Sequence, residues 1–338
     1  MSDDPWTTRR LLTWIREHLA ERDVDSPRVC AEMLVAKAIG AERLRLYMEP
    51  DRLATDAERG LLRDWVRRAS THEPVQYLVG EAWFHGLRLE VDSSTLIPRP
   101  ATETLVEVAA ARLGRPDRPV RVLEPCTGTG CVAVALLRLL DRPHRAASRL
   151  READEAVRAD VARLMAAAGG DPTEMTSGAE DAEIAVLPGE LATVVATELV
   201  PAAAGLAGRN IAAHGLGDRA EVRVGSLYEP LHERDRERFD LIVSNPPYVS
   251  DAEYAACPPN VKDHEPATAL RGGPDGLDLV RPLIADAKKW LRPGGAIAIE
   301  IQYDQARTVR KLLEDAGFGD VQVRRDFEDH ERVVSGVG

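Results

Sequence analysis

The chain is poor in cysteine, with Cys30, Cys126, Cys131 and Cys257 scattered over 338 residues. That scatter excludes a disulfide framework and a zinc site built from paired C-x-x-C units, and it points to reduced thiols in a cytoplasm. No apolar run reaches the roughly 18 residues of a spanning helix. The opening residues MSDDPWTTRR contain two acids and no apolar signal core, so a soluble, unexported, cytoplasmic protein is expected. Positive charge is also short: 44 Lys and Arg against 56 Asp and Glu leave a net charge of -12. That is the wrong sign for holding a phosphate backbone by counterion release, so direct nucleic-acid binding is not expected. No internal repeat is evident. What is present, 44% hydrophobic and 30% charged residues, suits packed cores, and the length predicts about two domains.

Residues 1–72 read as helices. Asp25-Ser26 places cap residues before Pro27 at a first turn, and Thr55-Asp56-Ala57-Glu58 is a capping-box pattern opening a helix through Leu61, Leu62 and Trp65. From Glu73 to Pro100 short runs expected to be extended, Tyr77–Gly80 and Leu87–Val91, surround glycines and suggest a β-hairpin linker. From Ala101 onward strands and helices alternate. Strands are predicted at Val120–Leu123, Val194–Ala196, Val222–Val224, Leu241–Val243 and Ala296–Ile301. Helices are predicted at Ala101–Leu113, Val132–Leu140, Ala202–His214, Leu277–Leu291 and Gln305–Ala316. Such alternation means a parallel sheet covered on both faces, an α/β fold. Val321–Val323 and Arg332–Ser335 are expected to close the sheet edge as an antiparallel hairpin. A segment of about 141–189 breaks the rhythm with helical spacing and reads as an inserted excursion.

Glu124-Pro125-Cys126-Thr127-Gly128-Thr129-Gly130 follows a strand and opens a helix. Glycines there admit a ligand where a Cβ would clash, and the helix N-terminus favours electron-rich groups. Gly128-x-Gly130-x-x-Ala133 matches a dinucleotide fingerprint, whereas the acid before the loop suits S-adenosylmethionine, so both ligands remain open at this point. Glu198, at the tip of the next strand, is placed to accept both ribose hydroxyls. Leu227, after the third strand, offers an apolar face to an adenine.

The run Ser244-Asn245-Pro246-Pro247-Tyr248 ends the fourth strand. Two prolines stiffen the loop and remove two N–H donors while leaving carbonyl acceptors. An Asn, exposed carbonyls and an aromatic ring suit a planar NH2 conjugated to a π system. The Asn245 oxygen and the Pro246 carbonyl would take its two N–H protons, with Tyr248 stacked on the plane. Those bonds raise electron density on the nitrogen and aim it at an electrophilic methyl, so catalysis is orientation and electrostatics without a nucleophile or metal.

That loop resembles the one in N-methyltransferases acting on amides or exocyclic amines, and its flanks resemble one family, the peptide chain release factor N5-glutamine methyltransferases. The likeness covers nearly the whole chain except the insert. It rests on Glu73–Gly80 (EPVQYLVG), Phe84–Leu87 (FHGL), Ile97–Glu103 (IPRPATE), Phe239–Val249 (FDLIVSNPPYV), His264-Glu265-Pro266, Gly276-Leu277-Asp278, Glu300–Gln305 (EIQYDQ) and Arg325–Val334 (RDFEDHERVV). A sister family that methylates a glutamine of a large-subunit ribosomal protein shares Asn-Pro-Pro-Tyr and His-Glu-Pro; Ile97–Pro100 and Asp329–Arg332 favour the release-factor branch. The resemblance implies a seven-stranded class I S-adenosylmethionine-dependent methyltransferase domain (101–338), a hairpin linker (73–100) and a small all-helical substrate-docking domain (1–72). It implies S-adenosylmethionine as donor and, as substrate, the glutamine of the release-factor Gly-Gly-Gln motif; no metal is needed for the loop chemistry, and a monomer is expected. It puts donor contacts on Cys126, Thr127, Gly128, Thr129, Gly130, Glu198, Leu227 and Asn245, and catalytic and substrate contacts on Asn245, Pro246, Pro247 and Tyr248. The chain departs from the family's pattern at Cys126 (usually Gly), at Glu124 and Glu198 (usually Asp) and at Ala101 (usually Glu). A Cβ at Cys126 is costly if the backbone there needs a positive φ. Adenine N6-methylation is disfavoured by the acidic charge and the absence of a target-recognition module. An NAD-dependent oxidoreductase would leave Asn245–Tyr248 unexplained.

Overall fold

The computed structural model describes residues 5–114, 118–141 and 192–338; the expected insert at about 141–189 lies almost wholly outside them. Helices α1 (Thr8–Ala20), α2 (Pro27–Ala38), α3 (Arg43–Met48), α4 (Asp56–Ala69) and α5 (Val75–Val79) come first. They close a core of their own from Leu11, Ile15, Leu19, Leu34, Val35, Leu46, Leu62, Val66 and Leu78. The capping box forms as predicted: the Glu58 N–H donates to Thr55 Oγ1 at 3.2 Å and the Thr55 N–H to Glu58 Oε2 at 2.9 Å. Ser26 does not cap α2. Its left-handed backbone (φ 50) leaves the side chain without a cap hydrogen bond, and Pro27 starts the helix alone.

Tyr77–Gly80, expected extended, is helical. Pro74 stands at the N-cap of α5, Gly80 terminates it with φ 71, and Val75, Leu78 and Val79 bury into the helical core. The Pro-to-Gly framing of these few residues is the signal that strand-like composition hid. A two-stranded hairpin follows, β1 (Glu81–Phe84) with β2 (Leu87–Glu90).

The main sheet contains β3 (Val120–Pro125), β4 (Ala192–Glu198), β5 (Ala220–Val224), β6 (Phe239–Ser244), β7 (Leu291–Glu300), β8 (Gly319–Arg325) and β9 (Glu331–Val337), in the order β5-β4-β3-β6-β7-β9-β8. The first five of that order run parallel, and β9 is antiparallel to both β7 and β8. The C-terminal pair is therefore antiparallel as expected, but β9 inserts between β7 and β8 and leaves β8 at the edge. Central strands β3, β4 and β6 are buried almost throughout, as continuous apolar runs in a sheet covered on both faces should be. One covering core joins α6 (Glu103–Leu113) and α7 (131–141 of the described residues) to the sheet, and the other joins α11 (Val280–Ala287) and α12 (Ala306–Asp315). Between them in the chain lie α8 (Pro201–Ala213), α9 (Asp251–Ala256) and α10 (Pro259–Lys262).

The helix expected to reach Leu291 ends at Ala287. The Trp290 carbonyl accepts from the Arg238 and Phe239 N–H groups at 3.0 and 3.1 Å, so it serves the sheet instead of another helical turn. Trp290 and Leu291 still enter the same core, which is why their spacing looked helical.

Candidate functional site

The C-terminal ends of β3, β4 and β6 open onto one cavity. The turn after β3 is the first wall. Cys126 has φ 61, Gly128 φ 55 and Gly130 φ 76, so the backbone at Cys126 does occupy the left-handed region. A non-glycine residue there costs on the order of 1–2 kcal/mol. Gly130 is required for a second reason: a Cβ would lie 3.3 Å from the Ala207 Cβ on α8. The turn is fixed by the Thr127 N–H donating to the Thr197 carbonyl at 3.2 Å and the Asn210 side chain donating to the Thr129 carbonyl at 2.9 Å.

Carboxylates form the second wall. Glu198 ends β4; its Oε2 accepts from the Gly128 N–H at 3.0 Å and its Oε1 from the Val200 N–H at 2.9 Å. Glu124, near the end of β3, is 2% exposed and its Oε2 has no hydrogen-bond partner among the described residues. Burial pushes the Glu124 carboxyl up to about 8; the Thr127 hydroxyl and the Ala133 N–H pull it down, and Glu198 adds to the rise. The Cys126 thiol is pushed up to about 12, again chiefly by burial and next by Glu198. It therefore stays protonated at neutral pH and is no nucleophile.

The third wall is the loop after β6. Asn245 Nδ2 donates to Thr102 Oγ1 at 3.2 Å, from the short turn that leads into α6. Tyr248 donates through its hydroxyl to Glu300 Oε1, at the end of β7, at 3.1 Å. The segment after Leu270 braces the loop from behind, with Val249 N–H to the Leu270 carbonyl at 2.9 Å and Gly272 N–H to the Val249 carbonyl at 2.8 Å. A Cβ at Gly272 would sit 2.6 Å from the Pro247 carbonyl, and one at Gly276 2.1 Å from the Tyr248 carbonyl. Those glycines allow the two backbones to touch.

The cavity is thus lined by Cys126, Thr127, Gly128, Thr129, Glu198, Leu227, Asn245 and Pro247 of the residues expected from sequence. Gly130, Pro246 and Tyr248 do not line it: Gly130 packs on α8, and the Tyr248 ring is held by Glu300. Leu227 has φ 45, and its carbonyl accepts from Thr197 Oγ1 at 2.7 Å. Sequence reading passed over Thr102, Arg99 and Glu265 as site residues and tied Glu124 to S-adenosylmethionine without naming its contact. Arg99 and Glu265 form an ion pair at the rim, with the Ile97 N–H also donating to Glu265 at 3.1 Å. The signal for them was present, since Ile97–Glu103 and His264-Glu265-Pro266 were already conspicuous as motifs.

A dinucleotide's pyrophosphate would meet the Glu124 and Glu198 carboxylates at this turn, which disfavours that alternative. A seven-stranded sheet with β9 inserted and reversed, opening onto this cavity at its strand tips, defines the class: a class I methyltransferase. The family model for the PrmC N-terminal domain matches residues 10–80. A release factor glutamine methyltransferase of Geobacter sulfurreducens is 36% identical over 338 residues, covering 99% of either chain. Proteins of the same name from Gloeobacter violaceus and Mycolicibacterium smegmatis are each 35% identical, over 95% and 94% of this chain and 94% and 92% of their own. The chain belongs to the release factor glutamine methyltransferase family. Among the described residues no helix is long and apolar enough to cross a membrane.

Proposed function

We propose that this chain transfers a methyl group from S-adenosylmethionine to the side-chain amide nitrogen of the glutamine in the Gly-Gly-Gln motif of peptide chain release factors. The observation that carries the reading is that Asn245, tethered through its Nδ2, shares one cavity with the glycine turn and the carboxylates Glu124 and Glu198. This donor set suits the proposed methyl donor, which is cationic and bears ribose hydroxyls. Glu124, with an orphaned buried oxygen, matches an ammonium group. Glu198 retains lone pairs for ribose hydroxyls, Leu227 would face the adenine, and residues 126–130 would approach the donor through backbone.

When bound, the donor supplies an electrophilic methyl carbon. The chain's own part is to orient the acceptor. Thr102 occupies the amide end of Asn245, which leaves Oδ1 to accept one substrate N–H, and the Pro246 carbonyl, between the cavity-lining Asn245 and Pro247, would accept the other. The prolines hold both acceptors without loop reorganisation, so the work is positioning and electrostatics. The helical N-terminal unit would dock the release factor.

Incubation of the chain with labelled S-adenosylmethionine and an intact release factor, followed by mass spectrometry, should find one added methyl on the Gly-Gly-Gln glutamine. No label there, or label on a ribosomal-protein glutamine instead, overturns the assignment. Thermal stabilisation by S-adenosylhomocysteine and none by NAD is the matching binding result.

A further inference from the structure

Gln305 is a buried carboxamide at the end of the motif Glu300–Gln305, and the reaction outlined above leaves it without a role. It stands one residue before α12, in the turn that follows β7. Both polar ends of its side chain are engaged. Nε2 donates to the Tyr248 carbonyl at 3.0 Å and to the Asp275 carbonyl at 3.3 Å, and Oε1 accepts from the Gln302 N–H at 3.1 Å. Two carbonyls can face only an NH2 and an N–H only an oxygen, so these partners fix which end of the carboxamide is which. The approach is close: a Cβ at Gly276 would lie 2.4 Å from Nε2. Helix α12 does not depend on this side chain. It starts from the Gln305 backbone, whose carbonyl accepts from the Val309 N–H at 2.9 Å, and the side chain makes no cap bond to it.

One side chain thus ties together the acceptor loop, the glycine turn before Leu277 and the turn after β7. The tie falls where the loop has few other supports. Pro246 and Pro247 have no N–H to donate and a φ fixed by the ring, so Asn245–Tyr248 behaves as a strut whose place is set at its ends. At one end Asn245 Nδ2 donates to Thr102 Oγ1 at 3.2 Å. At the other, the peptide between Tyr248 and Val249 is held on both sides: its N–H donates to the Leu270 carbonyl at 2.9 Å, and its carbonyl accepts from Gln305. The Tyr248 hydroxyl on Glu300 fixes the ring, which can still pivot relative to the backbone. Without the Gln305 N–H groups that peptide keeps one tether and can rotate about it, carrying the proline strut along.

We propose that Gln305 is a positioning residue for methyl transfer: by holding the carbonyl side of the Tyr248–Val249 peptide, it sets the distance of the Pro246 carbonyl and the Asn245 carboxamide from the donor. This rests on the function proposed above and deepens it. A displacement of about 1 Å at reacting groups can cost about 10²-fold in rate, so the brace acts on turnover, while most donor contacts lie on the other walls of the cavity.

The test compares Gln305→Glu and Gln305→Met with wild type in the full chain, with release factor as substrate. An ionised carboxylate at this position has no hydrogen to offer the two carbonyls, whereas a protonated one regains a donor, and burial against carbonyls favours protonation. At pH 8 Gln305→Glu should lower kcat by about tenfold or more, with the dissociation constant of S-adenosylhomocysteine in calorimetry within about threefold of wild type. Each kcat is divided by the wild-type value at the same pH, which removes the titration of the chain's other groups. The loss in Gln305→Glu should then shrink by about threefold or more at pH 5.5, while the loss in Gln305→Met, which donates at neither pH, stays the same. A second readout needs no substrate: the Asn245 side-chain NH2 resonances should be displaced in Gln305→Glu at pH 8 and return towards their wild-type positions at pH 5.5. A kcat within twofold of wild type in folded Gln305→Glu at pH 8, an equal loss at both pH values, or unmoved Asn245 resonances overturns the positioning role. Should Gln305→Glu not fold, Gln305→Met decides, by its kcat loss at unchanged donor affinity. A wild-type chain that labels no glutamine sinks the function proposed above instead, and the Asn245 resonances then decide the brace.

Discussion

At the N-terminal ends of the parallel strands, Asp235 is fully buried between Arg121 at 2.9 Å and Arg223 at 2.7 Å, and Asp240 accepts from the Arg121 N–H at 2.7 Å and pairs with Arg118 and Arg292. At the C-terminal ends, Glu124 and Glu300 are buried with no cation in direct contact, each with one oxygen unpartnered among the described residues. Burial raises the carboxyls of Asp235, Glu124 and Glu300 alike. For Asp235 the hydrogen bonds from Arg223, the His232 N–H and Arg121 outweigh it and hold the group well below the usual range. For Glu124 and Glu300 burial wins, at about 8 and about 7. Asp235 and Asp240, matched by arginines, thus sit at one end of the sheet, while at the other Glu124 and Glu300 each keep an oxygen without a partner among the described residues, near the paired Arg99–Glu265 and Arg332–Asp326. Paired charges hold a fold, and a buried carboxylate without a cation costs stability, which is what marks a candidate functional group.

Cutting each end in turn should separate those roles. Asn245→Ala has the largest expected effect on rate: methyl transfer falls by roughly 10²-fold or more, as for loss of a preorganised polar contact, while stabilisation by S-adenosylhomocysteine in a thermal melt persists. Preserved turnover in that variant would remove the catalytic distinction between the ends. Asp235→Ala should do the reverse. Stripping one partner from a buried cluster costs about 3–5 kcal/mol, so the melting temperature drops steeply while kcat below the transition is retained. The Asp235 contribution exists above the ordinary Asp pKa and is lost as pH falls below it, so variant and wild type should converge in acid.

Glu124→Gln sharpens the contrast with two opposite signs. A carboxyl whose folded pKa is raised from 4.5 to about 8 binds a proton more tightly in the folded state, so its presence costs stability increasingly as pH rises from 4.5 towards 8. The variant should therefore melt higher than wild type at pH 8 and equally at pH 4.5, yet bind S-adenosylmethionine about tenfold more weakly in calorimetry. Wild-type donor affinity should itself rise with pH through about 8, a dependence the variant lacks. Smallest of all, Cys126→Gly relieves the positive φ and should stabilise the chain by about 1 kcal/mol with donor affinity unchanged or improved. A destabilised glycine variant would show that the thiol's packing outweighs backbone strain.

Local signals carried far in this chain. The capping box at Thr55 and Glu58, the glycine turn after β3 and the proline-stiffened end of β6 were legible because each depends on neighbours within a few residues. The helix ending at Ala287 was misread to Leu291 because a distant segment took over a backbone group: Trp290 gave its carbonyl to Arg238 and Phe239. At the site the pattern repeats. Asn245 and Glu198 were found from their positions at strand ends, whereas Thr102, 143 residues from Asn245, meets it only through the fold.

Alternation of apolar strands with amphipathic helices, together with residue types at strand tips, determined the α/β class, the acceptor-rich loop and the family from the sequence itself, because those depend on chain-local periodicity and stereochemistry. Which carboxylates lose their water, which are matched by arginine, and which end of the Asn245 carboxamide looks into the cavity were decided only by tertiary structure. Desolvation and hydrogen-bond direction are properties of what surrounds a group in space, and residues far apart in the chain supply those surroundings here.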